Sequence, residues 1–257
     1  MTSRLPRTTF NRSGLVRILS ETLPEPLDPK YDFGERLGQW LDFSDALALF
    51  SALNSRAGAP STVPGKSDSA ARPLYDQLSR VRQNLTESII HDGVFSSEAA
   101  RIRFPVPLPQ ATAESAADYA HYHRYYLAHQ RDMSASIGAL RASTRKVLAE
   151  ASSAHQQLAD LDGTLEKALA VRERNLLGVI PMLLARRFAE RYQAHRDALA
   201  GSGDDPADWT KPGSWLEAFC RDAQAVLLAE LDLRLKPVAG LIAALGDDSN
   251  PLQVTKQ

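Results

Sequence analysis

The 257-residue chain is 44% hydrophobic and 24% charged, which excludes wholesale disorder and leaves room for one large core or two small ones. Its apolar residues are biased: 35 Leu and 37 Ala stand against 11 Val and 7 Ile, so sandwiches, barrels and wide parallel sheets are disfavoured and an all-α fold is expected. Thirty basic and 31 acidic side chains nearly cancel, removing any global field that would draw the chain onto nucleic acid or an anionic membrane.

In chain order, Ser13 to Thr22 reads as a short helix, with Ser13 as N-cap and Pro24 and Pro26 stopping it. A stronger helix is expected from Tyr31 to Leu53, opened by Asp28-Pro29, with Phe33, Leu37, Trp40, Leu41 and Leu47 on a broad apolar face. Residues 54–72, rich in Ser, Gly, Pro and Ala, read as a flexible loop. A third helix runs from Pro73 to Asp92, its stripe Leu74, Leu78, Val81, Leu85 and Ile89 spaced by fours and threes, and Gly93 stands where it should end. Three prolines in the stretch Phe104–Pro109 remove donors and fix φ, so residues 104–109 form an extended connector, a rigid spacer between helices.

From Met133 the positions Ile137, Leu140, Thr144, Val147, Ala151, Ala154, Leu158, Leu161, Leu165 and Ala168 keep a heptad seam without a slip. One helix over that span would be about 54 Å long, and its register runs back to Gln130, Tyr126, His123 and Tyr119. Flanking positions including Arg141, Leu148, His155 and Asp162 show no complementary charge code, so the seam is expected to pack against helices of the same chain rather than form a dimeric coiled coil. Gly163 and Pro181 are the two places where this helix, or the next stripe from Leu176 to Tyr192, would break or kink. After a polar loop from Gly201 to Gly213, Ser214 and Glu217 have capping-box spacing. The last helix follows, kinked or ended by Pro237, then a short apolar piece to Leu245 and a polar tail.

The expected organisation is an N-terminal helical segment (1–53), the loop (54–72), a bundle (73–245) and the tail (246–257). The expected architecture is an elongated antiparallel helical bundle with long central helices and the short N-terminal helices docked on it.

Tyr119, His121, Tyr122, His123, Tyr125, Tyr126 and His129 crowd one stretch, yet His121 and His123 point about 200° apart on a helix and no His pair has ligand spacing. A metal-dependent enzyme centred on His121 and His129 is therefore only a third reading. Gly65-Lys66-Ser67 lacks the glycine a phosphate loop needs, since Pro60 occupies that position. Asp204, Asp205 and Asp208 lack the alternating ligands of a calcium loop and suit turns and caps. Cys220, the only cysteine, cannot form an intrachain disulfide, suits a reducing cytoplasm and reads as a buried inert thiol. The N-terminus has no continuous apolar signal region, and the longest apolar run, Leu176 to Ala185, is about half of the ~20 residues a bilayer requires. No catalytic residue, cofactor or metal is assigned, and the location expected is cytoplasmic without membrane insertion.

Two interaction surfaces remain. The tyrosine ladder Tyr119, Tyr122, Tyr125 and Tyr126 is the candidate partner patch, since exposed tyrosines supply contact area at low entropic cost. Arg4, Arg7, Arg12 and Arg17, with no acid in residues 1–20, form a candidate basic arm, the basis of an alternative nucleic-acid-binding reading.

The segment from Phe33 to Leu53, carrying Glu35, Arg36, Leu37, Gln39, Trp40, Leu41, Asp45, Ala46 and Leu53, resembles the proteobacterial family called domain of unknown function 3348. The arginine-rich opening and the proline-rich piece near Phe104 are similar too, so the likeness covers most of the chain. The family brings no catalytic residue. The resemblance implies a bacterial, cytoplasmic accessory of an envelope complex, because such proteins are encoded beside stator-type proton channels and OmpA-like proteins. The resulting expectation is a non-enzymatic helical interaction or scaffold protein with an unidentified protein partner.

Overall fold

The computed structural model describes residues 14–22, 42–54, 67–95, 100–108, 110–199 and 203–247. Among these the fold is all-α, as the leucine and alanine bias requires, and no strand occurs. The helices are α1 (Gly14–Thr22), α2 (Phe43–Asn54), α3 (Ser67–Ile90), the single turn α4 (Ala113–Ala116), α5 (Ala120–Ala151), α6 (Ser153–Gly178), α7 (Ile180–Leu199) and α8 (Trp215–Asp247), with a 3₁₀ turn at Pro206–Asp208.

Helix boundaries or caps depart from the sequence reading at five places. Asp42 is not helical; its carboxylate accepts the Asp45 amide at 2.8 Å and caps a new helix, so no single helix runs through to Leu53. The part of that expected helix before Asp42 lies outside the described residues. Residues 67–72, read as loop, already belong to α3, which contains Pro73; Ala71 is buried and fixes that first stretch. The seam is cut at Ser152, not at Gly163, which lies within α6. Ser152 Oγ accepts the His155 amide at 3.2 Å and the Ser152 carbonyl accepts from Gln156 at 2.8 Å, so this serine ends α5 and caps α6. Ser214 does not build the expected capping box: its hydroxyl donates to the Trp209 carbonyl, which also accepts the Glu217 amide at 3.2 Å. Pro237 lies inside α8 on its exposed side, where solvent can satisfy the carbonyl freed by the missing donor, and the helix continues to Asp247. Pro181, in contrast, does mark a boundary, sitting in the first turn of α7 just after Val179 separates it from α6.

The chain folds into two compact units that do not follow the linear division expected from the sequence. The first contains α1, Asn84–Ser134 and Asn175–Leu233; the second contains α2, the part of α3 up to Gln83, Ala135–Arg174 and α8 from Arg234. Long helices contribute residues to both, which a reading by composition shifts cannot detect. In the first unit, α7 runs antiparallel to α8, since Phe188 meets Phe219 at 5.1 Å and Tyr192 meets Trp215 at 5.3 Å. Phe104, from the proline connector, is buried among Tyr122, Tyr125 and Phe219, and its amide donates to the Asp92 carbonyl at 2.9 Å. From residue 104 to 108 the connector is thus non-helical, as expected, with Phe104 pinned into the core.

In the second unit α5 and α6 form an antiparallel hairpin. Arg141 and Arg145 on α5 clasp Asp162 on α6 at 2.6 and 2.7 Å, and both reach Glu166. The flanking positions that lack a code for a second chain therefore do carry one within this chain. The buried row on α5 passes from Leu140 and Thr144 to Leu148, while Val147 is only half-buried, so the heptad drifts toward an ordinary helical stripe before Ser152 ends it. His155 Nε2 donates to the Ala244 carbonyl at 3.2 Å and its Nδ1 accepts from Ser152 Oγ at 2.8 Å, tying the start of α6 to the end of α8.

Candidate functional site

The tyrosine ladder occupies the start of α5 in the first unit. Tyr122, Tyr125 and Tyr126 are buried and Tyr119 is half-buried, so the ladder is core and not the exposed contact patch expected of it. The reason is that Phe104, Phe188 and Phe219 arrive from three other segments and cover helix faces outside the seam. Tyr119 donates to the Pro181 carbonyl at 2.5 Å and Tyr122 to the Ala116 carbonyl at 3.3 Å. Burial pushes all three of Tyr119, Tyr122 and Tyr125 well above the usual phenol range, which leaves them as neutral phenols.

Two fully buried carboxylates, Asp92 and Glu230, organise this unit. Asp92, fully buried just before Gly93 turns the chain at φ 90°, accepts from the Val94 amide, Cys220 Sγ and Gln224 Nε2, each at 2.9 Å. Gln224 also donates to the Ile89 carbonyl at 3.0 Å, closing the end of α3. Glu230, also fully buried, accepts from Tyr126 at 2.8 Å and from Gln130 at 3.0 Å, while the same Gln130 amide reaches the Leu177 carbonyl. These groups face one another across helices and serve burial of polar atoms. Cys220 is buried as the sequence reading had it, and desolvation first, then Asp92, raises its thiol far above the range of a nucleophile.

His121 and His129 do not meet. His121 is exposed, with Nδ1 2.8 Å from Arg124, whereas His129 is buried with its ring edge-on to Tyr125 at 4.7 Å. Desolvation lowers His129 to about 4, with Arg101 adding to the effect and Asp132 opposing it. Among the described residues its Nε2 and the Tyr125 hydroxyl have no hydrogen-bond partner. Among the described residues no group of three or more metal-ligating side chains converges, and no helix is long and apolar enough to cross a membrane.

Of the arginine arm, Arg4, Arg7 and Arg12 lie outside the described residues; Arg17 is exposed on α1, 3.9 Å from Glu21. Gly65 and Lys66 also lie outside them. Asp204 accepts from Trp209 Nε1 at 2.6 Å and lies 3.0 Å from His195, and Asp205 caps the 3₁₀ turn, so these acids orient and cap a loop. That loop inserts Trp209, a buried side chain that a polar-loop reading missed.

Two surface features of the second unit remain. A shallow groove of about 540 Å³ is lined by Arg145, Lys146, Gly163, Thr164 and Lys167, but Arg145 is held by Asp162 and Glu166, which leaves two surface lysines as its cations. The second feature is α2. It has no buried residue, and Phe43, Leu47, Phe50 and Leu53 are 85%, 57%, 64% and 55% exposed. It rests on the unit through the half-buried Asp45, Leu49 and Ala52, and Gln157 donates to its Leu53 carbonyl at 2.6 Å. At about 100° per residue the four large side chains fall in one arc of about 120°, shared only with Ala46 and Asn54. The arc carries no charge. The sequence signal for it was Asp42 followed by Asp45, an N-cap pair that detaches this helix from the apolar face read for residues 31–53.

No curated protein and no solved structure matches the chain. The model of one family, described as protein of unknown function (DUF3348), matches residues 1–247, the extent that the resemblance of residues 33–53, the opening and the proline connector implied. The chain therefore belongs to the DUF3348 family.

Proposed function

We propose that the protein is a non-enzymatic helical interaction protein that meets its partner through the apolar face of α2. The observation carrying this reading is that α2 presents four large apolar side chains to solvent, while the fully buried carboxylates Asp92 and Glu230 of the first unit are satisfied by neighbouring side chains. An uncovered contiguous apolar patch costs solubility, and where a chain keeps one it is commonly a contact surface. A cytoplasmic accessory role beside an envelope complex, implied by the family likeness, belongs to the same reading, as does the absence of an assigned catalytic group. The reading sets aside Tyr122 and Tyr125, because truncating them would open the core instead of removing a contact.

Co-purification from native lysate tests it, comparing the wild-type chain with Phe43→Glu/Phe50→Glu. A specific partner retained by the wild type and lost by the variant, with helical circular dichroism unchanged, is the expected result. Equal recovery of every partner by both proteins contradicts the reading.

A further inference from the structure

We infer that the surface α2 meets is α2 of a second copy of the same chain, paired antiparallel about a two-fold axis; this rests on the reading of α2 as the contact face. Three features argue for a copy of itself. The first is area. With roughly 200 Å² for a fully exposed Phe or Leu side chain, the stripe offers about 500 Å², and two facing copies bury about 1,000 Å², the threshold of a specific interface. A two-fold pairing thus reaches that threshold from α2 alone, with the same stripe supplying both sides of the contact.

Charge is the second feature. The arc holds Phe43, Ala46, Leu47, Phe50, Leu53 and Asn54, so a self-pairing places no like charges at its centre. The only charge of α2 is Asp45 in its first turn, with the capping Asp42 just before the helix, and it has no basic residue. A basic partner would find little to read there. In an antiparallel pair the two acidic ends lie at opposite ends of a helix about 18 Å long, beyond the ~8–10 Å over which salt lets them repel. A parallel pair would stack them.

Spacing is the third. Phe43, Leu47 and Phe50 follow one another by four and three, the seam that two facing helices use, and Ala46 beside them leaves room for an aromatic ring from the other copy. Leu47 and Phe50 flank the middle of α2, so a two-fold axis through the helix centre brings Leu47 of one copy near the same region of the other.

Sedimentation equilibrium of the full chain over a dilution series provides the test. The expected result is a reversible dimer for the wild type and a monomer for Phe43→Glu/Phe50→Glu. Leu47→Lys and Leu47→Glu should each be monomeric alone and restore the dimer when mixed, a recovery that misfolding cannot produce. A dimer unaffected by all of these substitutions overturns the inference. A wild-type monomer that still captures another protein in an α2-dependent way overturns self-pairing but leaves the interaction reading standing. A monomer with no α2-dependent partner removes both.

Discussion

His129 is the side chain on which pH acts most directly. Its folded value near 4 lies below the ordinary imidazole value of 6.5, so between these the unfolded chain takes up a proton that the folded chain refuses. Above pH 6.5 the two states bind equally and the residue costs nothing through this route; from pH 6.5 down to 4 the folded state loses on the order of 3 kcal/mol. Replacing it with leucine keeps the edge contact with Tyr125 apolar and removes the titration. Urea midpoints at pH 7 and pH 4.5 should therefore fall less in His129→Leu than in the wild type. An equal fall in both would show that the imidazole is not the group responsible. Helix spacing already argues against ligation by this residue, but nothing local in the sequence shows which segments bury it. What buries it is the arrival of distant segments: Phe104 against Tyr125, and Phe219 and Phe188 around Tyr122. Cys220 was legible, since a thiol beside Phe219 on an apolar stripe has few alternatives.

At the scale of elements, periodicity located the long helices and missed their ends. The seam from Met133 to Ala168 survives in sequence across Ser152, but a serine whose hydroxyl accepts the His155 amide caps a helix whatever the apolar period does. The same competition explains Asp42, where a short polar side chain ends one apolar face and begins another. Pairing of Arg141 and Arg145 with Asp162 was likewise invisible until the chain is folded back, because these residues face each other only in a hairpin. Burial raises the Asp162 carboxyl, yet the bonds from the two guanidiniums more than offset this and hold it below the usual range. Its stabilising contribution is complete above pH 4 and is lost as acid protonates it below that. Asp162→Asn should cost about 1–3 kcal/mol at neutral pH, between an exposed pair and a fully buried one. Glu166→Gln, on the more exposed carboxylate, should cost less. Denaturant melts of the two variants check the order, and an equal or reversed ranking would mean that Asp162 does not anchor the hairpin.

For the molecule as a whole, the fold class was legible and the exposed apolar face of α2 was not. The excess of Leu and Ala over β-branched residues settles an all-helical chain before any motif is considered. Division into two units, each assembled from separate stretches, depends on which helices fold back on which, and no local composition records that. The tyrosines drew attention because aromatic residues are common in interfaces, yet they are equally suited to a core with a few polar tips. The more telling pattern was a short helix with a cap at its start, no basic residue and large apolar groups on the side turned away from its own unit. That pattern is what supports the proposal of contact through α2. The account depends on the α2 face being open in the isolated chain. Maleimide labelling of Phe50→Cys tests this without background, because the sole native thiol, Cys220, is buried against Asp92. In dilute protein the introduced thiol should react at close to the rate of a free thiol while Cys220 remains unmodified until the chain is unfolded. Protection of both thiols to the same degree at every dilution would contradict the account, because α2 would then be covered by its own chain.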